Sequence, residues 1–147
     1  MKLHVIGIDL GKTVFHLVGL DSTGRAVIRK KCSRKQLLVF TANLEVELIG
    51  MEACSGAHFL GRALRAQGHE VRLMPAQYVK PYVKTNKSDY IDAEAIAEAV
   101  QRPRMRFVPI KTEEQLVSRR SAIGELLVQA GFIDFLGLIE CNLYFTR

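Results

Sequence analysis

Short apolar runs and stretches of helical periodicity follow one another along most of the chain. Val5, Ile6 and Ile8 form a run that is closed by Gly11 and too short for a helix, so VIGIDLG predicts a strand ending near Asp9. Val14 to Asp21, rich in β-branched and aromatic residues and closed by a Ser-Thr-Gly turn, predicts a second. AVIRKKC predicts a third, and the short turn before it implies an antiparallel meander. Ser33 is placed to cap a helix from Arg34 to Asn43 with Leu37, Leu38 and Phe40 inward. VELIGME is almost continuously apolar, which predicts a central strand ending at Glu52. A helix from His58 to Gln67, stopped by Gly68, and a fifth strand over EVRLMP follow. KTNKSDYIDAEAIAEAV predicts a basic loop entering a helix that Ser88 or Asp89 caps and that runs through Val100. RPRMRFVPIK predicts an extended loop, and Thr112 with Gln115 forms a capping box for a last helix reaching about Ala130. GFIDFLGLIECNLYFTR has no usable pattern.

Three meandering strands followed by helix, strand, helix, strand and helix predict an α/β protein. The order suits a ribonuclease H-like mixed sheet flanked by helices, with a C-terminal helical extension, better than a doubly wound nucleotide fold. A right-handed crossover would place the ends of the first and fourth strands side by side at one edge of the sheet, so that Asp9 faces Glu52. Asp89 and Asp92, three apart, would share one face of a helix's first turn, where the positive helix end favours anions. Taken singly, Asp9 suits a strand-end turn and Asp89 a cap. Together the four carboxylates have another consequence, because clustered acids repel and hold raised pKa values unless a cation joins them. Oxygen donors without Cys or His select Mg²⁺ or Mn²⁺, and such ions serve phosphodiester cleavage.

Charge sharpens this picture. Of 147 residues, 21 are Lys or Arg and 15 Asp or Glu, a formal charge of +6 that favours polyanionic partners. Lys12, Lys84, Lys87, Arg102, Arg104 and Arg106 are the candidate nucleic-acid contacts, those from Lys84 onward flanking the acidic pair Asp89 and Asp92. A solvated basic face is the plain alternative. Cys32, Cys54 and Cys141 show no pairing or zinc spacing and read as reduced thiols. His4, His16, His58 and His69 lack ligand spacing and read as structural. Neither a signal peptide nor a membrane span is legible, which predicts a cytoplasmic protein.

GIDLGKTVFHL, IGMEACSGAHFLGRAL and NKSDYIDAEAIAEA followed by VPIKTEEQ, in that order, resemble the N-terminal catalytic domain of the DEDD transposases of bacterial insertion sequences, the group that includes Piv-type invertases. The resemblance implies a RuvC-like domain acting on DNA with Mg²⁺ or Mn²⁺ held by Asp9, Glu52, Asp89 and Asp92. It also implies homo-oligomers in full-length relatives and, in some, a guide RNA. Family members are longer and carry a helical insert and a serine-bearing second domain. The expected organisation here is a catalytic domain over residues 1–111, the start of the helical region over 112–130, and an unplaced tail over 131–147, as in a truncated or frameshifted copy. The function read from the sequence is thus a transposase, the alternative being a catalytically inactive nucleic-acid-binding remnant. An actin-like ATPase is a third reading of GIDLGKT, but the second hairpin and adenosine site it needs are not visible.

Overall fold

The computed structural model of the chain describes residues 2–85 and 88–117. The chain divides after Ile110 into two units. The first holds a five-stranded sheet, built from β1 (Leu3–Leu10), β2 (Phe15–Leu20), β3 (Ala26–Cys32), β4 (Val46–Glu52) and β5 (Val71–Met74) in the spatial order β3-β2-β1-β4-β5. The meander β1-β2-β3 is antiparallel, whereas β4 lies parallel to β1 and β5 parallel to β4. The ends of β1 and β4 are adjacent, as expected. They stand in the middle of the strand order, on the rim where both strands finish.

The two faces of the sheet bury different material. On one, Ile6, Ile8, Leu17, Ile49, Met51 and Leu73 pack with Leu37 of α1 (Arg34–Ala42) and with Ala57, Leu60 and Leu64 of α2 (Ser55–Ala66). Ser33 caps α1 through a complete capping box with Gln36. α2 begins three residues before the expected His58, because Cys54 supplies an extended N-cap and the small Ser55 and Gly56 continue into the turn. Gly68 ends that segment at φ +94°, a conformation that costs a side-chain-bearing residue.

On the other face, Val5, Val18, Leu20 and Met74 meet Ala93, Ile96, Ala97 and Val100 in and just beyond α4 (Ile91–Ala99). Between β5 and α4 lies an element absent from the sequence reading, a single helical turn α3 (Ala76–Val79) running into a 3-10 turn (Lys80–Tyr82). Pro75 and Pro81 look like loop punctuation in sequence. Here Pro75 occupies an N-cap and Pro81 the first turn, the two helical places proline tolerates.

Two glycines set how closely α4 lies on the sheet. Gly7 and Gly50 are direct partners across β1 and β4. A Cβ on Gly7 would overlap the Ala93 carbonyl oxygen, and one on Gly50 would stand 2.8 Å from the Val100 Cβ. Beyond the sheet unit, Thr112 N–H donates to Gln115 Oε1 at 3.0 Å and Gln115 N–H to Thr112 Oγ1 at 3.3 Å, the expected capping box. Residues 113–117 are helical. The remainder of that helix and the 131–147 tail lie outside the described residues.

Candidate acidic site and its basic surroundings

Strand periodicity decides where the carboxylates emerge. Side chains alternate between faces, so Asp9 shares the face of Gly7 and Glu52 that of Gly50, the face against which α4 rests. Ile8 pairs with Met51, which makes Asp9 and Glu52 the next residues on adjacent strands. Asp92 lies in the first turn of α4, whose N-terminal end is thereby brought to the same rim.

The electrostatics of the rim follow from this convergence. Burial pushes the Asp9 carboxyl above its usual range, Asp92 adds repulsion, and His16 pulls partly back. Glu52 is likewise pushed up, by burial first and then by Asp9 and Asp92, with Lys80 opposing. Asp92 thus repels both Asp9 and Glu52, and Asp9 repels Glu52. Among the described residues, however, no three His, Cys, Asp or Glu side chains converge closely enough to enclose an ion.

Asp89 takes a different place from the one expected. Neither it nor Ser88 caps α4; the N-cap is Tyr90, with no side-chain hydrogen bond. The Ser88 hydroxyl instead accepts from the Tyr90 N–H at 3.3 Å, and the Ser88 carbonyl accepts from the Ile91 N–H at 3.2 Å. This turn uses Ser88 before the helix starts, so Asp89 sits exposed ahead of the first turn rather than on a helical face with Asp92.

His16 and the pair Gly7 and Gly50 had no site role in the sequence, and Lys80, expected beside the acids as a phosphate contact, takes another part. His16, read as structural, is the cross-strand partner of Asp9. Its ring stands edge-on to Tyr90, centroids 5.4 Å apart, and its Nε2 is buried without a hydrogen-bond partner. Lys80 reaches Glu52 electrostatically from the 3-10 turn. The glycine pair Gly7 and Gly50 carried a sequence signal, since an isolated glycine inside an apolar strand often marks close approach by another backbone.

The predicted basic contacts separate into groups. Lys12, Arg104 and Arg106 are exposed and make no ion pair among the described residues. Arg102 makes none either but lies over the Tyr82 ring, 5.3 Å from its centroid. Lys84 is engaged, its ammonium donating to Glu94 at 3.0 Å and to Glu98 at 2.8 Å, with Arg29 also on Glu94 at 3.5 Å. Lys87 lies outside the described residues. Cys54 is exposed, while Cys32 is buried and that burial pushes its thiol up. No described helix is long and apolar enough to cross a membrane.

Residues 6–123 match the family profile DEDD_Tnp_IS110, described as a transposase. The transposase of insertion sequence element IS1328 from Yersinia enterocolitica is 49% identical over 111 residues, 76% of this chain and 33% of the relative. That of element IS1111A from Coxiella burnetii is 43% identical over 113 residues, 77% of this chain and 31% of the relative. The chain thus spans about a third of the length of these relatives. In fold, it is similar to T. thermophilus RuvC, solved with a Holliday junction substrate, at TM-score 0.52 and 14% identity over 71% of this chain and 98% of that one.

Proposed function

Because the chain belongs to the IS110-type DEDD transposases, we propose that its sheet unit is the catalytic part of an insertion-sequence transposase, cleaving and transferring DNA strands with Mg²⁺ or Mn²⁺ at Asp9, Glu52, Asp89 and Asp92. The observation that carries the reading is the meeting of Asp9 and Glu52 on adjacent strand ends, both carboxyls raised by burial and by Asp92. Partly buried oxygen donors whose mutual repulsion is only partly offset by His16 and Lys80 are a suitable set for a hard divalent cation. Full enclosure is not required, since Mg²⁺ keeps several waters and is commonly bound through one or two carboxylates plus substrate phosphates.

Asp9 and Glu52 would be the main metal ligands, with Asp92 closing the site from the helix and Asp89 joining from the preceding turn. When bound, such a cation polarises a phosphodiester and favours ionisation of the attacking hydroxyl. The chain's own contribution is to hold Asp9 and Glu52 on rigid strands and to fix the α4 end through Tyr90 and His16. Lys12, Arg102, Arg104 and Arg106 would hold phosphates. Lys84 would have to leave Glu94 and Glu98 to do so, and Lys87 completes the proposed set. DNA is the proposed substrate; a guide RNA and further copies of the chain are proposed partners, RNA being attracted by the same basic surface.

The lack of three tightly converging ligands among the described residues favours one further reading, a nucleic-acid-binding domain that does not cleave. One experiment separates the two. Millimolar Mg²⁺ or Mn²⁺ should raise the melting temperature, as any ligand of the native state alone does, by about 2.7 kcal/mol in stability at 100 times Kd. Asp9→Asn with Glu52→Gln should abolish the rise, and Asp92→Ala should remove metal-dependent nicking of supercoiled plasmid. An unchanged metal response in the double variant rejects the site, whereas a metal response without nicking selects the non-cleaving reading.

A further inference from the structure

The turn between β5 and α4 does more than deliver Lys80 to the acidic rim. Met74 pairs with Glu52 at the end of β5, and the chain then passes through Pro75 into α3 and the 3-10 turn, so this segment leaves the sheet at the rim where the acids stand. Tyr78 and Tyr82, one helical turn apart, are half-buried here, with Tyr82 packed against the α4-side core. Both line a shallow open cleft of about 240 Å³ with Pro81, Arg102, Arg104 and Met105.

Its chemistry is unlike that of a metabolite pocket. The volume lies below the roughly 300–1,000 Å³ of small-molecule sites, and an open cleft suits a flat ring laid against a wall rather than an enclosed ligand. The wall is aromatic, and Arg102 lies over Tyr82. Neither Arg102 nor Arg104 meets a carboxylate among the described residues. The cleft on the other side of Tyr82, lined by Arg29, Lys84 and Glu94, has its cations already tied to Glu94 and Glu98. Uncompensated guanidinium groups beside tyrosines are the combination that grips a backbone phosphate while a base stacks.

We propose that Tyr78, Tyr82, Arg102 and Arg104 form a stacking platform for one unpaired base of a nucleic acid whose backbone continues toward the acidic rim. The proposal rests on the nucleic-acid reading above and names the form of strand that is held. A paired base is already stacked within its duplex and cannot use the platform, so selectivity for single strands is its signature.

The test uses the whole chain in EDTA, with a twelve-nucleotide single-stranded DNA, its RNA counterpart and the matching DNA duplex, each carrying 2-aminopurine. Tyr82→Leu and Tyr78→Leu should each weaken single-strand binding about ten-fold, the scale of one base–aromatic stack, and duplex binding less than two-fold. Tyr82→Phe should restore the affinity. Arg102→Ala with Arg104→Ala should lower the single-strand log–log salt slope by about 1.4, at roughly 0.7 per phosphate contact. A loss confined to the DNA strand identifies the substrate as occupant, and one confined to RNA identifies a guide-like strand. Equal losses on duplex and single strand, no loss in either tyrosine variant, or no binding by the unmodified chain would overturn the platform. Tyr78→Leu carries the test if Tyr82→Leu fails to fold. The metal-induced rise in melting temperature, measured separately, stands or falls without reference to the platform.

Discussion

Helix α4 has carboxylates in two neighbourhoods that treat charge in opposite ways. In one, Glu94 and Glu98 meet Lys84 and Arg29, and Glu94 is held below its usual range by the Lys84 hydrogen bond despite partial burial. In the other, Asp92 faces Asp9 and Glu52, and those two are pushed upward with only His16 and Lys80 in partial opposition. The same helix carries neutralised acids two and six residues beyond Asp92, whereas Asp9 and Glu52 are only partly compensated. The first arrangement is complete within the protein; the second would be completed by a cation from outside, which is the physical content of the proposed metal site.

Lifting α4 off the sheet would break both neighbourhoods at once. Gly7→Val puts a branched side chain where the Ala93 carbonyl oxygen and the Ala97 amide already lie. Overpacking typically costs about 1–3 kcal/mol, and collision with backbone should bring the loss to roughly 3 kcal/mol or more. Urea unfolding measures it; a loss under about 1 kcal/mol would mean that the helix is not seated by this glycine.

Acid should separate the two neighbourhoods. A carboxyl whose folded pKa is raised binds its proton first in the native state, so stability rises as pH falls through that raised value toward the unfolded one. For the metal-free protein, Asp9 and Glu52 should therefore give a melting temperature that climbs on acidification from neutral pH toward about 4.5. Glu94 has the opposite sign: its stabilisation is present above the ordinary glutamate value of 4.5 and is lost as pH falls through its depressed folded value. A rise followed by a fall is expected. Asp9→Asn with Glu52→Gln should erase the rise and keep the fall, with a neutral-pH gain of a few degrees, at roughly 4 °C per kcal/mol. An identical acid profile in the double variant would place the repulsion elsewhere.

The smallest effect belongs to the compensated side. Lys84→Met removes bonds to Glu94 and Glu98 from an ammonium that is 54% exposed, so solvent screening keeps the expected loss to about 0.5 kcal/mol. A double-mutant cycle with Glu98→Gln measures the coupling, and a value above about 2 kcal/mol would show that this side is not ordinary surface pairing.

How far these features were legible in the sequence follows the range of the interactions that create them. The β3 and β4 boundaries and the Ser33 cap rest on nearest neighbours and were read residue for residue. Asp9 and Glu52 could be placed because strand alternation and a parallel pairing fix where a strand's last residue points. The capping of α4 was misjudged because Ser88 and Asp89 both have cap chemistry, and only the turn geometry shows Ser88 spent before the helix begins. The turn over residues 76–82 was missed because so short a segment, with Pro75 before it and Pro81 within it, carries no helical periodicity. His16 gave no warning, its significance lying wholly in its partner across the meander. Arg102, Arg104 and Arg106 were picked out as a charge cluster, but the tyrosines beside Arg102 and Arg104 are twenty or more residues away in sequence.

The seating of α4 over Gly7 and Gly50 also bears on when the site comes into being. Asp9 belongs to the first strand, Glu52 to the fourth and Asp92 to the last helix of the sheet unit, so no short segment contains the constellation. Contacts between such distant parts of a chain close late and slowly. A nascent chain on the ribosome would display a free β-meander long before α4 could reach it. Divalent-cation affinity at the proposed site should then appear abruptly with the final docking step, which would make the metal a kinetic reporter of completed folding rather than its organiser.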